Sequence, residues 1–135
     1  MKADNIYLGN PNLKKANVSQ EFTQEQVEEF IKCSQDPIHF AREHIKIVSL
    51  DEGLVPFDMY DFQEDLIDRF HNNRFNIAKL PRQTGKSTTV VSYLLHYAIF
   101  NDNVRIAILA NKAETARELL SRLQLSYENL PTWMQ

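Results

Sequence analysis

Residues 81–88 read Pro-Arg-Gln-Thr-Gly-Lys-Ser-Thr, with Arg-Phe-Asn-Ile-Ala-Lys-Leu before them at 74–80 and a helical pattern after them. The last three positions of the phosphate-loop pattern G-x-x-x-x-G-K-[ST] are filled by Gly85, Lys86 and Ser87, while Leu80 stands where the first Gly belongs. Gly85 lets the backbone approach a phosphate because it carries no Cβ. The N–H groups of Gln83, Thr84, Gly85, Lys86 and Ser87 then form an anion nest, reinforced by the positive end of a helix starting near Lys86. In such a loop Lys86 reaches the β- and γ-phosphates of ATP and Ser87 offers its hydroxyl to Mg²⁺. Thr88 caps the helix or contacts the α-phosphate.

The flanks fit that reading. Residues 74–80 alternate as a strand does, and Val91, Leu94, Leu95, Ala98 and Ile99 recur at helical spacing. Residues 104–110 (Val-Arg-Ile-Ala-Ile-Leu-Ala) form a near-continuous apolar run, as in a buried parallel strand. A last helix follows, with Asn111 as cap, Glu114 at its third position, and Leu119, Leu120 and Leu123 packing it. Glu118 and Arg122 are spaced to pair across one turn. Strand, helix, strand, helix calls for a parallel sheet with right-handed crossovers.

Upstream, the chain reads as helical. Residues 1–20 are a polar arm with a turn at Asn10-Pro11. Thr23 and Gln26 make a capping box, Phe22 can staple to Val27, and Val27, Phe30 and Ile31 form the expected buried stripe. Asp36-Pro37 ends that helix and starts another, whose buried side is Ile38, Ala41 and Ile45. A further helix over 62–71 is expected, with Asp61 as cap, Glu64 at the third position, and Phe62, Leu66 and Phe70 on one face. The boundaries that follow are 1–20 for the arm, 21–56 for a helical N-terminal segment and 57–135 for the first part of a P-loop domain. The expected fold is α/β, a partial P-loop NTPase whose parallel sheet carries flanking helices. Two strands cannot complete a nucleotide-binding sheet, so the chain reads as truncated.

Composition narrows the classes. At 43% apolar content, with eight Phe and five Tyr, 135 residues can enclose one core. No stretch approaches the roughly 20 apolar residues of a membrane span, and no apolar signal core opens the chain. The one cysteine, Cys33, excludes an internal disulfide and reads as a packing residue. Net charge is −3, but residues 1–73 carry seven Lys/Arg against fourteen Asp/Glu and residues 74–135 carry eight against four. The half holding the loop is therefore basic, which suits a polyphosphate or DNA as well as an ordinary solvated surface.

An adenine-binding side is expected at Tyr60-Asp61-Phe62-Gln63. The Gln63 amide can donate and accept together, as reading N6 and N7 of adenine requires, and Phe57, Tyr60 or Phe62 can stack on the base. The carboxylates needed for hydrolysis are harder to find. Asp51-Glu52 ends the apolar run 45–50, but it precedes the loop and is followed by Gly53, so it reads as a turn. After residue 88, Asp102 falls in a turn and Glu114, Glu118 and Glu128 on expected helices. Asn111-Lys112 suits a phosphate- or DNA-facing turn as well as a helix cap.

Taken together, several stretches resemble the N-terminal part of the large terminase subunit of tailed phages, in its T-even-like branch. They are Asn10 to Lys14, Phe22 to Gln26, Asp36 to Phe40, Lys46 to Val48, Asp51 to Phe57 with Tyr60 and Gln63, and Arg82 to Thr88. The loop without its first Gly, with Arg-Gln before Gly-Lys, is that family's own variant. The resemblance implies an ATP-driven motor that moves double-stranded DNA into a procapsid, and a nuclease domain beyond these residues. It implies a portal protein and a small terminase subunit as partners, an oligomeric parent and a place in the host cytoplasm at the portal. It further implies that Arg82 senses or stabilises the γ-phosphate like an arginine finger. The other classes that fit are a helicase-like or restriction-type DNA-dependent ATPase, and a nucleotide-binding remnant without turnover.

Overall fold

In the computed structural model, residues 5–49 and 51–135 are described; Met1 to Asp4 of the expected arm and Leu50 of the 45–50 run lie outside them. The described residues form a mixed α/β fold of five α-helices and two small antiparallel sheets. Strands β1 (Ile6–Tyr7) and β2 (Asn10–Lys14) pair as a short ribbon. The turn falls at Leu8 and Gly9, both left-handed at φ 47° and 76°, and not at Asn10-Pro11 as expected. Pro11 fits in β2 because an edge strand has N–H groups that need no ladder partner. The ribbon is tied to the far end of the chain: Lys14 N–H donates to Gln135 Oε1 at 3.0 Å, and Gln135 Nε2 donates to Asn12 O at 2.7 Å.

Helix α1 (Gln24–Gln35) opens with the expected capping box: Thr23 Oγ1 accepts from Gln26 N–H, and Gln26 Oε1 accepts from Thr23 N–H. Asp36 then serves two helices. Its N–H donates to Lys32 O, ending α1, and its carboxylate accepts from the N–H groups of Ile38 and His39, starting α2 (Pro37–His44). This one-residue joint folds α2 back on α1 and decides which face of α1 is buried. Phe30 and Cys33 turn inward, while Val27 and Ile31 of the expected stripe, and Phe22 of the expected staple, stay exposed.

Strands β3 (Lys46–Ser49) and β4 (Gly53–Pro56) form a hairpin in register Ile47↔Val55 and Val48↔Leu54. Asp51 and Glu52 lie in its turn, closed by Gly53 at φ 75°, as the turn reading requires. Helix α3 (Asp61–Asn72) starts one residue earlier than expected. Tyr60 is its N-cap, and Gln63 reaches back to accept the Tyr60 N–H at 2.9 Å. Glu64 is drawn away from the expected capping role into an ion pair with Arg42. Gln63, Leu66 and Ile67 are buried, whereas Phe62 is exposed.

Helix α4 (Lys86–Phe100) is the central element, packed by α2, α3 and α5 (Ala113–Glu128). It buries Thr89, Val91, Ser92, Leu95 and His96, while Ala98 of its expected face is exposed. The core joins Cys33, Phe40, Ala41, Ile45, Phe57, Met59, Ile67, Leu95, Leu130 and Met134. Helix α5 begins after Lys112 without a side-chain cap, so Asn111 does not cap it. Glu118 and Arg122 pair across one turn at 2.6 Å, and Leu120 is exposed.

The expected parallel sheet is not formed among the described residues. Residues 74–80 and 104–110 run on either side of α4 in sequence without a strand ladder. Phe75, Ile77 and Leu109 are 83%, 102% and 88% exposed, while Ala78, Leu80 and Ile108 line a 190 Å³ cavity beside α4. Alternation sets which way side chains point, but a ladder needs a second backbone at hydrogen-bonding distance, which the pattern does not supply. No helix among the described residues is long and apolar enough to cross a membrane.

Candidate functional site

The loop at 81–88 enters α4 through two left-handed residues, Gln83 at φ 60° and Gly85 at φ 71°. Gly85 is the N-cap, and no side chain caps the helix. The first N–H groups of any helix lack an intrahelical acceptor. Here those of Gly85, Lys86, Ser87 and Thr88 have none among the described residues, while Thr89 N–H closes the first turn on Gly85 O at 3.0 Å. Lys86, the first helical residue, folds its ammonium back onto Pro81 O at 3.1 Å and Leu80 O at 3.5 Å. Thr84 Oγ1 donates to Pro81 O and Thr89 Oγ1 to Gly85 O, so the side chains rigidify the turn from within.

Gln63 braces the loop from beneath. It is 2% exposed, and its Nε2 lies 3.5 Å from both Thr84 O and Gly85 O. A Cβ on Gly85 would stand 2.6 Å from that nitrogen. The acceptor end of the same amide is taken by Tyr60 N–H. Gln63 therefore joins the start of α3 to the start of α4, and the amide edge expected to read adenine is engaged with the backbone.

Tyr60 and Phe62 stack on each other beside it, ring centroids 5.9 Å apart and planes 9° from parallel, and both rings are exposed. They share an open concavity of 450 Å³ with Phe57, Gln63, Gln83, Thr84, Gly85 and Thr88. Asp58 and Ile47 also line it, and neither was expected there. Ile47 comes from the β3–β4 hairpin, which the 45–50 run alone does not reveal because β4 is short and contains Pro56. Lys86 and Ser87 instead line the cavity beside Leu80 and Ala78, on the other side of the loop. Arg82 is exposed and makes no ion pair among the described residues.

Chemically, this corner of the fold offers free backbone donors, a helix N-terminus and two cations to an anion, next to a flat aromatic surface. Among the described residues it does not offer a carboxylate pair. Asp51 and Glu52 are exposed at the hairpin turn, where Ser49 Oγ accepts from both of their N–H groups at 3.4 Å. Cys33 is no nucleophile: burial, helped by the Glu29 carboxylate 3.3 Å away, pushes its thiol up to about 12. No protein-family model matches the chain.

Proposed function

We propose that residues 81–88 hold the triphosphate of Mg·ATP and that the concavity beside them takes the adenine. The observation that carries the reading is Gly85, left-handed at the head of α4, with four N–H groups around it that have no acceptor among the described residues and Lys86 as the next residue. On this reading Lys86 leaves Pro81 O for the β- and γ-phosphates, Ser87 supplies an Mg²⁺ ligand, and Arg82 reaches the γ-phosphate from the exposed side. Tyr60 and Phe62 give the base a stacking surface. Gln63 positions the loop, and reads adenine only where its bond to Tyr60 N–H is released.

The resemblance of the sequence to terminase large subunits extends the proposal to the fold and the wider activity. The loop and the two extended segments flanking α4 then belong to a P-loop ATPase domain of a motor that packages double-stranded DNA, partnered by a portal protein and a small terminase subunit. These 135 residues are proposed to bind ATP without appreciable turnover, because Asp58 is the one carboxylate lining the concavity among the described residues.

Calorimetric titration of Mg·ATP into the folded protein tests the binding. Lys86→Ala is expected to weaken it at least about tenfold, the equivalent of ~1.4 kcal/mol. Absence of ATP-dependent heat from folded wild-type protein would remove the proposal. Phosphate release exceeding that of the Lys86→Ala variant would instead refute the absence of turnover.

A further inference from the structure

Away from the loop, at the seam of α1 and α2, three side chains converge on one carboxylate oxygen of Glu29. Glu29 Oε1 accepts from His39 Nε2 at 2.8 Å, His44 Nε2 at 2.9 Å and Cys33 Sγ at 3.3 Å. Glu29 and Cys33 are four residues apart on α1, so they share a face. His39 and His44 arrive from α2 because the Asp36 joint folds that helix back. The ligand atoms of Glu29, Cys33 and His44 all lie within 4.8 Å of one another.

We propose that Glu29, Cys33 and His44 form a binding site for a thiophilic divalent transition metal, with zinc the best match, and that His39 orients the Glu29 carboxylate. The donor set is a thiolate, an imidazole and a carboxylate, a combination that suits Zn²⁺ or Co²⁺ over the oxygen-seeking Mg²⁺ and Ca²⁺. Three hydrogen-bond donors crowd one carboxylate oxygen that has two lone pairs; a cation held by Glu29, Cys33 and His44 replaces the contacts from Cys33 and His44 and leaves that from His39. Metal–ligand bonds of about 2.0–2.3 Å in a tetrahedron put neighbouring donors roughly 3.3–3.7 Å apart, so the hydrogen-bonded pairs open by under about 1 Å.

Charge and burial agree. Cys33 as thiolate and Glu29 as carboxylate together neutralise a divalent ion, and the imidazole is uncharged, so the metal-bound cluster carries no net charge in the half-buried seam. Cys33 is fully buried and the His44 side chain is 12% exposed, while Glu29 at 31% leaves a side open for metal entry and for a water as fourth ligand. On binding, the Cys33 S–H bond breaks, a sulfur–metal bond forms and the proton passes to solvent. Affinity therefore rises with pH, by one proton released per metal bound. The expected role is a staple: His96 Nε2 donates to Cys33 O at 2.8 Å, so a metal on Cys33 clamps α1 to α2 and to the central helix.

Cobalt titration of the intact, tag-free 135-residue protein under reducing conditions is the test. The expected result is one Co²⁺ per chain, a near-ultraviolet thiolate-to-cobalt charge-transfer band, tetrahedral visible bands, and loss of all of them on adding Zn²⁺. His44→Ala is expected to weaken the cobalt affinity at least about tenfold, and His39→Ala by roughly 10- to 100-fold with the band retained. Cys33→Ser, folded by circular dichroism as a change in the core requires, is expected to lack the band. Folded wild-type protein giving no charge-transfer band, or His44→Ala binding cobalt as tightly as wild type, overturns the site and leaves a hydrogen-bonded cluster.

Discussion

A methyl group at Gly85 would meet two obstacles. The left-handed conformation costs an L-residue roughly 1–2 kcal/mol, and the new Cβ would stand 2.6 Å from Gln63 Nε2. The end of a glutamine can shift, but here it would abandon the carbonyls of Thr84 and Gly85, and its Oε1 would leave Tyr60 N–H at the start of α3. Gly85→Ala is therefore expected to lower the melting temperature and to lose most ATP affinity together. Wild-type affinity in that variant would show that the left-handed entry to α4 is dispensable. The pairing of Gly85 with Gln63 is only half legible in the sequence: each residue stands out alone, but that they touch is set by how α3 meets α4.

At the scale of elements, local chemistry carried much of the message. The Thr23 box, the Asp36 joint and the Asp51–Gly53 turn are written in residues that act on their own neighbours, and each is where its spacing places it. Burial on α1 is only partly legible: Phe30 and Cys33 are inside as expected, but α2 folding back brings Glu29 to the seam and leaves Val27 and Ile31 outside. That seam gives a pH signature. Burial pushes the Glu29 carboxyl up, but the hydrogen bonds from His44, His39 and Cys33 outweigh it and hold it near 2, against 4.5 ordinarily. A carboxyl held down in the folded state resists protonation more than in the unfolded chain, so its contribution is complete above pH 4.5 and fades as pH falls toward about 2. Chemical denaturation with a chelator present should show this loss in wild type and a flatter acid limb in Glu29→Gln. Parallel acid limbs would mean that the cluster contributes nothing to folding.

Across the whole molecule, stability is expected to be uneven. The helices share one core around α4, whereas residues 74–80 and 104–110 present bare apolar side chains and backbone with no strand partner among the described residues. The alternation of 74–80 and the near-continuous apolar run of 104–110 both read as strands, and the sequence alone places them in a sheet. What a sequence pattern cannot encode is a neighbouring strand, so neither run forms a ladder, and Phe75 and Ile77 are left exposed. Amide hydrogen exchange is expected to be fast throughout both segments and slow in the middle of α4, around Val91 and Leu95. Slow exchange in 104–110 would require backbone partners that the described fold lacks.

The nucleotide reading and the fold meet at four amide groups. Two-dimensional ¹H–¹⁵N spectra recorded while Mg·ATP is added report on them one by one. The amides of Gly85, Lys86, Ser87 and Thr88 are expected to shift most and to saturate together, and the same positions in Lys86→Ala protein to reach saturation only at ATP concentrations at least about tenfold higher. An unchanged spectrum at these four positions, or shifts confined to other parts of the chain, would contradict the nucleotide reading.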